Sequence, residues 1–227
     1  MVRMGEPNRL QLIAALVNHI VNEKPKGGIL VFLPGVQEIR QCTQAIGALV
    51  KKQVDILPLH ANLSSDEQRK VFNKNPSKWK IICSTNVAEV SCISSRSLHW
   101  NSSVSQTSIT IDDIVYIVDS GRVKEVQYDP ETRLSSLVEG WVSRASGRQR
   151  RGRAGRTQPG VCYKTYTRKQ EGDMPDFSVP EILRVSLTNV CLSVKAAREG
   201  EDVQVFTCIL CLVFLPEVIL GVLGESN

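Results

Sequence analysis

The stretch Ile29-Leu30-Val31-Phe32-Leu33-Pro34-Gly35 decides the fold. Five apolar residues in a row, stopped by Pro-Gly, read as a strand buried on both faces of a parallel sheet rather than as a half-exposed one. Working outward, residues 8–21 place Leu10, Ile13, Leu16, Val17 and Ile20 at helical spacing, and the turn-rich Pro25-Lys26-Gly27-Gly28 separates that helix from the strand. On the other side a helix is expected over 36–52 and a strand over 54–59. A helix then opens at Ser64-Ser65-Asp66-Glu67, with a capping residue and acids in its first turn, and a strand follows over 79–83. Strand and helix alternate three times, which predicts a parallel sheet with helices packed on its faces.

The rest of the chain extends the pattern. Ile114-Val115-Tyr116-Ile117-Val118 is a further strand, and residues 122–127 and 133–139 flank Asp129-Pro130-Glu131-Thr132 as the arms of a β-hairpin. Ser143 caps a helix, residues 160–166 form another strand, and residues 183–195 are expected to be helical. In such sheets ligands are held by the loops at the carboxyl ends of the strands. Here those loops begin with Pro34-Gly35, His60-Ala61-Asn62 and Ser84-Thr85-Asn86, each of which by itself is also ordinary turn chemistry.

Composition bounds the partners. With 227 residues, 42% hydrophobic and 22% charged, the chain can bury a core and is not of the disordered class. Its net charge of +5 is mild, but six arginines fall between Arg144 and Arg156 with no acid among them. The centre of that cluster is Gln149-Arg150-Arg151-Gly152-Arg153-Ala154-Gly155-Arg156. Arginine stays charged at any workable pH and offers a planar fork of donors, so the cluster asks for phosphate or carboxylate oxygens. Alone, it reads equally as a loose basic patch. The seven cysteines are scattered and odd in number, as expected of reduced thiols in an intracellular protein, cytoplasmic or nuclear. Cys208 and Cys211 lack a second ligand pair, so core packing is expected there and no metal site.

Taken in order, these segments resemble the second RecA-like lobe of DEAH-box (DEAH/RHA) RNA helicases over about residues 10–195. Leu30 to Gly35 is similar to the family's motif IV, Ser84 to Glu89 to the first half of motif V, Thr107 to Asp112 to its second half, and Gln149 to Arg156 to motif VI. The resemblance implies an α/β, three-layer RecA-like sandwich with a mostly parallel sheet and a protruding β-hairpin over 122–139, within a domain spanning 8–195. It implies ATP as cofactor and RNA as partner. Arg153 and Arg156 are then arginine fingers, Gln149 contacts the γ-phosphate or the attacking water, and Asp112 and Gly152 lie against the nucleotide. Thr85, Asn86, Arg122 and Lys124 face the RNA, and the hairpin separates strands. Of Arg150 and Arg151, one is expected to be a structural or RNA-side salt-bridge former.

Three departures limit the resemblance. The sequence contains neither a Gly-x-x-x-x-Gly-Lys-Ser/Thr loop nor an Asp-Glu-Ala-His box, which in the family belong to a first lobe that holds ATP and Mg2+. The chain alone is therefore expected to be inactive as an ATPase and to need that lobe in cis or in trans. Residues 90–106, rich in serine, interrupt motif V and read either as a regulated loop or as an in-frame retained intron. Residues 196–227 form an atypical apolar tail whose Pro216-Glu217 argues against a membrane span, so no stable membrane association is expected. The rival reading is a non-catalytic RNA-binding or interaction module, or a truncated gene product.

Overall fold

The computed structural model describes residues 9–73, 75–88, 111, 113–129, 131–132, 134–155, 158–180 and 184. In chain order the elements are α1 (Arg9–Glu23), β1 (Gly28–Phe32), α2 (Val36–Leu49), β2 (Val54–Leu59), α3 (Ser65–Arg69), β3 (Trp79–Ser84), β4 (Ile114–Asp119), β5 (Arg122–Asp129), β6 (Leu134–Trp141), α4 (Arg144–Arg151), β7 (Val161–Lys164) and α5 (Arg168–Gly172). The described residues fall into two compact units. One holds those up to 125 and from 137 to 178; the other holds the outer hairpin, 126–136, and those from 179 on.

Five strands form one sheet in the order β2-β3-β1-β4-β7, and every pairing in it is parallel. β1, β3 and β4 are fully buried because each has a neighbour on both sides and a layer on both faces. Side chains of successive strand residues alternate between faces. Ile29 and Val31 of β1, Ile81 and Cys83 of β3, and Val118 of β4 therefore join Ile13, Val17, Ile39 and Ile46 of the two long helices in one core. Leu30 and Phe32 with Ile82 and Ile117 face the other way and pack with Val71, Ala88 and Ile111. This is the expected three-layer α/β architecture. The hairpin is present too, with β5 and β6 paired as a separate two-stranded ribbon.

Local chemistry sets several boundaries. Ser64 caps α3 through a reciprocal capping box, its Oγ accepting from the Glu67 N–H while the Glu67 carboxylate accepts from the Ser64 N–H at 3.0 Å. The helix lasts only five residues before tightening into a 3-10 turn at Lys70–Phe72. Ser143 Oγ accepts from Ser146 N–H and opens α4. In the outer hairpin Asp129 closes the turn by accepting from Glu131 N–H and Thr132 Oγ1. The helix expected over 183–195, the interruption at 90–106 and the tail at 196–227 lie outside the described residues.

Candidate active site and nucleic-acid interface

The carboxyl ends of the strands are laced together by the loops that leave them. Leu33 N–H donates to Ser84 O at 2.8 Å, Thr85 N–H to Leu59 O at 3.1 Å, Ser120 N–H to Phe32 O at 3.3 Å and Thr165 N–H to Asp119 O at 3.0 Å. Four loops thus share one rim, and Thr85 and Asn86 stand on it. Thr85 is half-buried and Asn86 is exposed, opening a short 3-10 turn.

The arginine helix is fixed to this rim by a buried ion pair. Arg150 and Asp119 are each 1% exposed, and Arg150 Nη1 donates to Asp119 Oδ1 at 2.8 Å. The same guanidinium lies 4.9 Å from the centre of the Phe32 ring and donates at 3.4 Å to the carbonyl of Arg122, at the foot of the hairpin. Asp119 completes its shell by accepting from Gly121 N–H at 2.9 Å and Tyr166 O–H at 3.2 Å. Burial and the Asp119 charge together push the Tyr166 hydroxyl far above its ordinary pKa, so it stays a donor. Gly121 sits at φ +67°, and a Cβ there would meet the Tyr166 ring at 2.5 Å, so only glycine admits this contact. Of the two arginines weighed for a structural role, Arg150 is the salt-bridge former and Arg151 is exposed.

With Arg150 turned inward, its helical neighbours are turned out. Gln149 is exposed and, three residues from Ser146, shares with it and with Asn86 a cavity of about 210 Å³. Glu125 and Ser178 also line it. The structure therefore brings together two of the expected site residues, Asn86 and Gln149, whose sequence positions are 63 apart. Gly152 ends α4 with helical backbone angles, φ −68° and ψ −3°, and donates its N–H to Arg148 O and Arg150 O. Arg153 follows in the turn, half-buried, its N–H donating to Arg150 O at 3.0 Å. Gly155, at φ +83°, then reverses the chain in the left-handed region.

The remaining expected residues fall out differently. Arg122 stacks its guanidinium 3.5 Å from the centre of the Trp141 ring, and Lys124 Nζ donates to Glu38 Oε1 at 2.7 Å. Both thereby brace the hairpin base, Lys124 against α2. Arg156 and Asp112 lie outside the described residues. Asp113, next to the latter, stands at the amino end of β4, where its carbonyl accepts from Gly28 N–H and its carboxylate takes Lys80 Nζ at 3.2 Å. Two groups went unread in the sequence: Asp119, which anchors the arginine helix, and Trp141, which carries Arg122. The one signal for the first is that Asp119-Ser120-Gly121 directly follows the apolar run of β4.

This arrangement can present a cationic turn and an amide side chain to an anionic ligand at the rim. Among the described residues no group of three or more His, Cys, Asp or Glu could hold a metal ion, and no helix is long and apolar enough to cross a membrane.

The helicase conserved C-terminal domain family matches residues 11–158. The chain is 41% identical over 191 residues to the DExH-box ATP-dependent RNA helicase DExH6 of Arabidopsis thaliana, covering 82% of this chain and 13% of that protein. It is 40% identical over 195 residues to the human ATP-dependent DNA/RNA helicase DHX36, covering 84% of this chain and 18% of that one. The chain thus spans less than a fifth of the length of these relatives. Among solved structures it is similar to the Escherichia coli DEAH/RHA helicase HrpB, with a TM-score of 0.70 and 27% identity over 89% of this chain and 23% of that one.

Proposed function

The chain belongs to the helicase conserved C-terminal domain family, in its DEAH/DExH-box branch, and on that premise we propose that it works as the second RecA-like lobe of an ATP-dependent RNA helicase. In this role Arg153 and Arg156 place positive charge against the γ-phosphate of an ATP whose Mg2+ and phosphate loop are supplied by another lobe. Gln149 orients the attacking water or the γ-phosphate, and the Gly152 backbone admits the nucleotide closely. Thr85 and Asn86 hold the RNA backbone, which needs hydroxyl and amide groups but no base reading. The hairpin, braced at its foot by Arg122 and Lys124, acts on the RNA as a wedge.

The observation that supports this most is the inward turn of Arg150. Because its charge is consumed by Asp119, the helix is held at one rotation, and that rotation points Gln149 toward Asn86 and starts the Arg153 turn at the sheet rim. A loosely solvated basic patch needs no such anchor. On this reading the chain alone binds RNA and does not turn over ATP.

The test is RNA binding against salt. The purified 227-residue chain is expected to bind a single-stranded RNA oligonucleotide weakly, the logarithm of its binding constant falling with log salt by about 0.7 per phosphate neutralised by its lysines and arginines. Thr85→Ala with Asn86→Ala removes only uncharged hydrogen bonds to phosphate, so it should weaken binding by roughly tenfold at every salt concentration and leave the slope unchanged. Binding that ignores salt, or an affinity untouched by the double substitution, contradicts the assignment.

A further inference from the structure

Tyr166 stands just past β7 and is set against two other elements at once. Thr165 pins the chain there by donating its N–H at 3.0 Å and its Oγ1 at 3.2 Å to Asp119 O. The Tyr166 hydroxyl then donates to Asp119 Oδ2 at 3.2 Å, while Oδ1 of the same carboxylate takes Arg150 and Gly121. It also lies against α4. A Cβ on Gly147, one turn before Arg150 and on the same face of the helix, would stand 3.6 Å from it.

The ring of Tyr166 meets the hairpin foot. Trp141, the last residue of β6, packs against it edge to face, with ring centres 6.2 Å apart and planes at 66°. The two rings close over Gly121, where an added Cβ would come within 2.5 Å of Tyr166 and 3.2 Å of Trp141. Trp141 in turn carries the Arg122 guanidinium at 3.5 Å, and Arg150 donates at 3.4 Å to the Arg122 carbonyl. The contacts thus close a circuit from Arg122 through Trp141, Tyr166, Asp119 and Arg150 back to Arg122, all within one compact unit. In close packing of this kind, neither foot of the hairpin can shift without disturbing a partner of the arginine helix.

We propose that Tyr166 is a positioning residue: together with Trp141 it ties the hairpin foot to α4, so that RNA acting on the hairpin alters how Gln149 and Arg153 are presented to ATP. Its hydroxyl fixes the carboxylate that fixes Arg150, and its ring receives any displacement of Trp141. Hydrogen bonds to a buried charge are the strong ones, so loss of the hydroxyl alone should be felt along the helix. Direct contact along the whole route gives the coupling a physical carrier, and its measure is the change in RNA stimulation. The inference rests on the helicase reading for what the circuit serves, while the circuit itself is testable without it.

Tyr166→Phe keeps the ring and removes only the hydroxyl. In the full 227-residue chain by itself, amide hydrogen exchange over residues 147–152 and 122–125 should become roughly tenfold faster, while that of α1 stays within about twofold. Unchanged exchange in α4 overturns the proposal. An equal rise in α1 overturns it too, by showing only a general loss of stability. In a mixture of the chain with a first lobe from a DExH-box relative, Trp141→Leu should lower the ratio of RNA-stimulated to basal kcat roughly tenfold, with the KM for ATP within about threefold, and Trp141→Phe should restore most of it. Equal lowering of both rates leaves the ratio intact, marks a merely structural role and overturns the coupling. If the unaltered mixture turns over no ATP, it is the helicase reading that fails, and exchange in the lone chain by itself decides whether Tyr166 positions α4.

Discussion

Arg150→Met is the substitution whose outcome the structure specifies most fully. Methionine nearly fills the volume but removes the guanidinium, leaving the Asp119 carboxylate, 1% exposed, with only Gly121 N–H and Tyr166 O–H as donors. Breaking a buried pair in this way costs roughly 3–5 kcal/mol, because the charge left behind cannot reach water. The lost contact with the Phe32 ring, at 4.9 Å, adds up to about 1 kcal/mol. Domains of this size are stable by about 5–15 kcal/mol in all, so the variant should sit near the edge of folding. At about 2–4 °C per kcal/mol its melting temperature should fall by roughly 6–24 °C. Urea denaturation of the wild type, Arg150→Met, Asp119→Asn and the double variant measures it. In the double variant the neutral amide still accepts from Gly121 and Tyr166, so it should be more stable than Arg150→Met by about 1–3 kcal/mol. A loss below about 1 kcal/mol for Arg150→Met, or strictly additive singles, would refute the buried-pair argument.

Two further outcomes follow from titrating groups. Burial, then the Asp119 charge, pushes the Cys162 thiol up to about 11. At pH 8 only about 0.1% of it is thiolate, so iodoacetamide should modify it roughly a hundredfold more slowly than a free cysteine, by peptide mapping; a rate within tenfold of the free residue contradicts this. His60 has its pKa lowered, first by burial and then by Arg40, against a smaller opposite pull from Glu67. Its unfolded form therefore binds a proton more readily than its folded form, and stability is lost as pH falls through the ordinary histidine value of about 6.5. His60→Gln should flatten the fall in urea midpoint between pH 8 and pH 5.5, and an unchanged pH dependence would refute the assignment.

Much of the fold was legible because it rests on local patterns. The apolar run of β1, stopped by Pro34-Gly35, and the run over 54–59 correspond to strands within a residue or so, and Ser64 and Ser143 cap helices as their residue types suggest. The length of α3 was not legible, since the capping box fixes where a helix starts and packing decides where it stops. α5 was missed because five residues show no period; only its own capping box, Thr167 with Gln170, marks it. At the site, the sequence singles out the arginines but not their partners. Asp119 stands 31 positions from Arg150 and Glu38 stands 86 from Lys124, and which charges meet is set by strand order. The same topology makes Lys124, a residue whose type suggests an RNA contact, a brace for the hairpin base.

The most direct measurement is RNA-stimulated ATP hydrolysis by the 227-residue chain mixed with a first lobe from a DExH-box relative. The chain alone should show none, the mixture should show turnover, and Arg153→Ala or Arg156→Ala should lower it by roughly 10³-fold or more. Lys124→Ala, on the hairpin, should leave basal turnover without RNA within a few-fold of the unaltered mixture. Turnover that survives loss of both Arg153 and Arg156 would contradict the claim that this chain brings the charge that completes the active site.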